Sequence, residues 1–251
     1  MATRKDEKAR LRAARLEAER RDAQAARKRL ILGYGVAGVL TAAVLVGIGV
    51  VIASGGGGSS ESSPAAAHID TATGSINGVV PDAREGAAPP AVQNLDLENA
   101  AADAGCDLRL GLPEEGRTHL EPDAKTPNYR TNPPTSGNHV TTPFQQADGA
   151  YEEMPDLINF VHSLEHGRIE IQYAPDLPET DQLALKGVFD ESPSGMLLFP
   201  DPRMPYEVAA TAWTQLLGCK KYEGANTLDA IRDFRDQFRG RGPEGQVPIT
   251  P

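Results

Sequence analysis

Hydrophobic positions along the chain fall into three regimes. The first is residues 30–54, LILGYGVAGVLTAAVLVGIGVVIAS, which contain no charged side chain. At ~1.5 Å per residue this run can cross a hydrocarbon core of ~30 Å, so it predicts a single transmembrane helix. The second, residues 55–104, is Gly, Ser, Ala, Pro and acid with almost no aromatics. Such a stretch cannot bury enough apolar surface to offset its ordering entropy. It predicts a disordered linker with a mean span of roughly 40 Å. The third, residues 105–240, mixes short apolar runs with turn residues and predicts a folded domain, with a tail at 241–251.

Within that domain the periodicity changes from segment to segment. KTPNYRTNPPTSGNHVTTPF is proline-rich and predicts ordered loop. DLINFVHSLEHG predicts a short helix that Gly167 ends. In RIEIQY, Ile169, Ile171 and Tyr173 alternate with polar residues, the pattern of a half-buried strand. PETDQLALKGVF predicts a second helix, and GMLLFPD a short apolar strand. EVAATAWTQLLGCKKY fits helix or strand, and its Thr and Trp content favours a strand from Ala212 to Cys219. NTLDAIRDFRDQF carries an apolar stripe at Leu228, Ile231, Phe234 and Phe238 and predicts a closing helix. Asn226 would cap it and Gly240 would stop it. On that reading Asp229, Asp233 and Asp236 face outward. Strands and helices mix without regular alternation, so the fold class is α+β: a small mixed sheet with short helices.

Charge sharpens the first regime. The chain carries a formal net charge of -10, yet residues 1–29 hold eleven Lys/Arg against five Asp/Glu. That leaves fourteen basic against thirty acidic side chains in the remainder. The basic segment is rich in good helix formers and predicts a cytoplasmic helix beside the inner leaflet. The positive-inside rule then puts the N-terminus in the cytoplasm and everything after residue 54 outside a bacterial-type plasma membrane. The apolar run exceeds the usual ~7–15 residues of a signal peptide, so an anchor in the lipid bilayer is the better reading. An acidic folded part argues against nucleic acid as a partner. A membrane-protein or cell-envelope partner is compatible with it.

Only two cysteines occur, Cys106 and Cys219, both in the part assigned to the oxidising side. They predict one structural disulfide, because neither spacing suits a redox pair or a thiolate metal site.

The candidate chemistry lies in HSLEHG. His162 and His166 are four apart and therefore neighbours on one helix face. Two such imidazoles can grip one divalent ion. His139, after NPPTSG, is a candidate third ligand, and Glu165 a fourth ligand or an orienting partner. His68 and His119 sit in linker and loop with no partner nearby in sequence, and are set aside. Met204 is a candidate soft ligand, whereas Met196 reads as core. The same run matches the H-x-x-E-H pattern of some zinc proteases, but that motif sits on a helix continuing past its second histidine. Here Gly167 follows at once. Ser136 lacks the nucleophile elbow of a serine hydrolase.

NPPTSGNH (132–139), VHSLEHGRIEIQY (161–173) and AATAWTQLLGC (209–219) resemble the domain-of-unknown-function 3105 family. The resemblance covers roughly residues 105–240. It implies an actinobacterial-type, membrane-anchored protein with an exported domain, and it implies no established activity. The chain departs from the family pattern at Asn138 and Val140, where a proline and an aromatic usually flank the histidine.

Three functions are therefore in play. The leading one is an exported domain binding copper or zinc through His139, His162, His166 and Glu165. The second is an interaction module with structural histidines. The third is a zinc hydrolase. The pattern favours binding over catalysis.

Overall fold

The alternating segment RIEIQY forms a strand with both faces covered, so it is not half-buried as expected. A computed structural model describes residues 76–121, 123–140 and 145–244. The expected cytoplasmic helix, the transmembrane helix at 30–54 and the first part of the linker lie outside the described residues, as does the tail from residue 245 on. Among the described residues no helix is long and apolar enough to cross a membrane.

Among the described residues, four helices and eight strands follow one another in mixed order. They are α1 (Leu97–Asp103), β1 (Cys106–Arg109), β2 (His119–Leu120), β3 (His139–Val140), β4 (Gly149–Ala150) and α2 (Leu157–Glu165). Then come β5 (Ile169–Tyr173), α3 (Glu179–Glu191), β6 (Met196–Pro200), β7 (Val208–Ala212), β8 (Gln215–Cys219) and α4 (Ala225–Phe238). Six strands make a mixed sheet in the order β1-β8-β7-β5-β6-β4, and β2 and β3 form a separate parallel pair. β5 and β6 are parallel, which requires a crossover, and α3 supplies it. The fold class is α+β, as expected.

The sheet is covered on both sides. Ile169, Ile171, Met196, Leu198, Val208 and Leu217 pack with Leu185, Val188, Leu228, Ile231 and Phe234 of α3 and α4. From the other face Leu197 and Phe199 meet Phe160, Val161 and Leu164 of α2, with Tyr151 and Trp213. Each fully buried Phe or Leu in these clusters contributes about 1.5–3 kcal/mol. Because both faces are covered, Glu170 and Gln172 are buried along with their apolar neighbours. Glu170 accepts from Thr211 Oγ1 (3.2 Å), which in turn accepts from Gln172 Nε2 (3.0 Å).

Four local expectations need correction. The proposed single strand 212–219 is two strands, β7 and β8, joined by a tight turn at Trp213-Thr214. Thr214 adopts φ 61°. Its N–H donates to Thr135 O (2.8 Å) and its carbonyl accepts from Leu112 N (2.9 Å). Those bonds hold a β-branched residue in a region it rarely occupies. The helix α4 is capped by Gly224 rather than Asn226, and Thr227 Oγ1 accepts from the Glu223 amide (2.8 Å). Asp229 points inward: its Oδ2 accepts from Gln93 N (2.8 Å) and Asn94 N (3.1 Å), and Oδ1 pairs with Arg232 (3.3 Å). These bonds lash residues 93–94 to α4, so the folded domain begins well before residue 105. α1, with Asp96 capping the Asn99 amide, packs in the same core through Leu97, Ala100 and Ala101. Composition missed this because a single short helix with few apolar residues is stabilised by the surface it lands on, not by its own sequence.

Cys106 and Cys219 form the expected disulfide. They sit directly opposite in the β1–β8 register and close a loop of 113 residues. In the chain-entropy model that constraint contributes about 4–5 kcal/mol.

Candidate metal centre

The site begins with the helix α2. Its apolar stripe, Leu157, Phe160, Val161 and Leu164, faces the sheet and fixes the rotation of the helix. His162, Glu165 and His166, at spacings of three and four, then share a neighbouring stripe. The helix ends as expected at Gly167, which adopts φ 76°. Gly167 N donates to Leu164 O (2.9 Å) and Arg168 N to Ser163 O (3.1 Å), the paired bonds of a Schellman motif.

The second half comes from the proline-rich loop. β2 and β3 align His119 directly with His139, and β3 packs against α2. Opposed residues in neighbouring strands project to the same side, so both imidazoles reach the helix. The loop before His139 is held by many hydrogen bonds. Tyr129 Oη donates to Asn138 O (2.8 Å), Asn138 Oδ1 accepts from Thr118 N (3.0 Å), and Ser136 Oγ accepts from Glu115 N (3.0 Å). Ser136 is thus a structural hydroxyl. Trp213, delivered by the β7–β8 turn, stands edge-on to His139 with ring centroids 6.3 Å apart.

His119, His139, His162 and Glu165 converge: one ligand atom from each lies within 4.8 Å of all the others. Glu165 Oε2 is 2.9 Å from His139 Nε2 and 3.3 Å from His119 Nε2. The rings of His139 and His162 stack at 4.6 Å, and His119 lies 4.9 and 5.1 Å from them. His139, His162 and Glu165 are buried, whereas the His119 side chain is 42% exposed and marks the open side. This is a His/Glu cluster that could hold a metal ion.

Protonation suits that use. Burial, then the neighbouring imidazoles of His139, His166 and His119, lower His162 to about 2, so its ring is neutral. Burial alone would raise Glu165, but its hydrogen bond to His139 and the charges of His139 and His119 hold it below the ordinary carboxylate range. A neutral His162 and an ionised Glu165 are in the forms in which these side chains ligate.

The four-residue group differs from the expected set in one member. His139, His162 and Glu165 are brought together. His166 stands behind His162, Nε2 to Nε2 at 2.9 Å, and is replaced in the group by His119. His119 was set aside because only strand pairing makes it a neighbour of His139, twenty residues later in the chain. The sole trace in sequence is that each histidine is followed by an aliphatic residue, Leu120 or Val140. Met204 is half-buried in the bend before β7, outside the group. The H-x-x-E-H arrangement is not formed, since only its first histidine and its glutamate join the cluster. Asp229 is already committed to Gln93, Asn94 and Arg232.

No curated protein and no solved structure matches the chain. The family described as Protein of unknown function (DUF3105) matches residues 119–249, a span that opens on His119 and contains all four clustered side chains. With more than half of its length inside that match, the chain belongs to the DUF3105 family.

Proposed function

We propose that this protein binds a transition metal ion through His119, His139, His162 and Glu165. A single contact carries the reading. His139 Nδ1 lies 2.8 Å from Gly137 O, an acceptor, so the ring proton belongs on Nδ1. The lone pair of a neutral His139 then sits on Nε2, which faces the Glu165 carboxylate at 2.9 Å. Two acceptors that close repel unless a positive charge lies between or beside them: a proton on Nε2 supplies it in the metal-free site, and a metal ion that displaces that proton would supply it in the bound one. Three imidazoles and a carboxylate, without sulfur, suit zinc or Cu(II) better than Cu(I). Zinc is our first assignment and copper the second. Bound there, the ion would act as a Lewis acid with Glu165 as ligand, and the buried side of the site favours holding over turnover.

The uncharged run 30–54 and the basic residues before it support a domain tethered outside a cell membrane. Storage, delivery or sensing of an extracytoplasmic metal fits that location.

The test is metal content and calorimetric titration of the purified full-length chain. Wild type should take up about one Zn2+ or Cu2+ per chain at micromolar concentrations. His119→Ala, His139→Ala and His162→Ala should each weaken uptake, while Met204→Leu should leave it unchanged. A wild-type protein that takes up neither ion sinks the proposal.

A further inference from the structure

The six-stranded sheet has two edges, and they are finished differently. Beyond β4 runs the segment 80–82. Asp82 N donates to Ala150 O (2.8 Å), Glu152 N donates to Val80 O (2.9 Å), and Pro81 bridges to Tyr151. The proline has no N–H to offer a further strand, so pairing stops there. β1 forms the opposite edge, and among the described residues no strand lies beyond it. The register shows which of its backbone groups are left over. Glu207 N donates to Cys219 O (3.0 Å), so Cys219 turns its backbone bonds towards β7. Cys106 and Cys219, with Cα atoms 4.1 Å apart, are therefore a non-hydrogen-bonded pair. Alternation along the strand then gives Asp107 and Arg109 the bonds to β8. It turns the N–H and C=O of Cys106, Leu108 and Leu110 outward, away from the sheet.

Side chains alternate along the same strand. Cys106, Leu108 and Leu110 join Ala101 and Ala102 of α1 in lining an open groove of about 420 Å³, where Leu110 is 43% exposed. Asp107 and Arg109 stand exposed on the other face, with no ion pair or side-chain hydrogen bond among the described residues. An edge with free backbone groups and apolar side chains is a template for another strand. We propose that the β1 edge is the interface of a homodimer, in which the sheet continues antiparallel from one copy into the other. The charges select the occupant and the register. With a two-fold axis at Leu108, Asp107 of each copy lies opposite Arg109 of the other, and Leu110 lies opposite Cys106, in the groove. Leu108 then meets its own copy at a hydrogen-bonded position, which uses the backbone groups that point outward. The two Asp–Arg pairs fall at non-hydrogen-bonded positions, where facing side chains come closest. Sliding the register by two residues sets Asp107 against Asp107 or Arg109 against Arg109, and like charges directly opposed are unfavourable. The same patch serves both copies, as a two-fold interface requires. None of this depends on the metal reading.

Two measurements on the purified full-length chain test the proposal. Sedimentation over a concentration series should show a reversible monomer–dimer equilibrium for the wild type. Asp107→Arg and Arg109→Asp should each weaken the dimer about tenfold or more, because each turns two attractive cross-strand pairs into repulsive ones. The double variant Asp107→Arg/Arg109→Asp is self-complementary again and should recover the wild-type association. Both positions are exposed, so the unfolding midpoint of the dilute monomer should not move. Cross-linking reads the register. Asp107→Cys and Arg109→Cys proteins, mixed under mild oxidation, should link to each other far faster than either links to itself. A wild type that stays monomeric and a mixture that forms no cross-link would overturn the inference. So would a dimer indifferent to both single charge reversals, since its contact would lie elsewhere.

Discussion

The two faces of the sheet are built to different standards. On the α3/α4 face, β5 presents Ile169, Ile171 and Tyr173 to a continuous apolar cluster. On the α2 face the same strand presents Glu170 and Gln172, and the helix above carries His162, Glu165 and His166. Buried polar atoms without partners collect around this second face: Glu170 Oε1, Gln172 Oε1, Arg168 Nη1 and His162 Nδ1. Unsatisfied buried groups cost stability, commonly about 1–3 kcal/mol each. A fold can carry them only if another part of the molecule supplies the excess. Here the apolar face and the disulfide beside it do so, which leaves the α2 face free to hold polar chemistry out of water.

Deleting a large side chain from each face is the severest test of this division. Phe234→Ala, on the apolar face, should cost about 3–5 kcal/mol in denaturant unfolding. Metal affinity per folded molecule should stay unchanged. Phe160→Ala should cost a similar amount, because Phe160 is equally buried and packs on Phe199 at 5.3 Å. It should also weaken metal binding, since Phe160 sets the rotation of α2. Equal effects of both variants on affinity would erase the distinction between the faces.

Zinc at a hundredfold excess over its dissociation constant should stabilise the wild type by about 2.7 kcal/mol, read as a rise in the thermal midpoint. His139→Asn should abolish that rise while the Phe234→Ala protein, though less stable, retains it.

A smaller effect concerns Glu170. Complete burial pushes its pKa well above the ordinary value of 4.5, so it is protonated in the folded protein where an unfolded glutamate is ionised. The folded state then holds the extra proton, and stability falls as pH rises from about 4.5 through the folded pKa. Glu170→Gln imitates the protonated form and should remove that part of the slope. Parallel stability–pH curves for wild type and variant over this window would show that Glu170 is not held neutral.

Much of the fold was legible along the chain because each element there depends on neighbours in sequence. The helix that stops at Gly167, the strand after it, the apolar stripe of α4 and the cysteine pair all announce themselves locally. The turn at Trp213-Thr214 did not, because no glycine or asparagine marks it. It is held by bonds from Leu112 and Thr135, remote in sequence. α1 and the segment before it escaped notice for the same reason: Asp229 and the core of α4 hold them in place.

By itself the sequence determined that a mixed α+β domain contains HSLEHG at a helix end, with His139 and Glu165 as candidate partners and one disulfide. Periodicity, capping and cysteine count are one-dimensional signals, and they suffice for that. Only the tertiary structure decided which imidazoles converge. The parallel pairing of His119 with His139 and the return of residues 240–244 to His166 are contacts between distant segments. Their geometry is set by backbone pairing and close approach rather than by spacing. That is why His119 enters the cluster, and why His166, four residues from His162 in the motif, stands behind it.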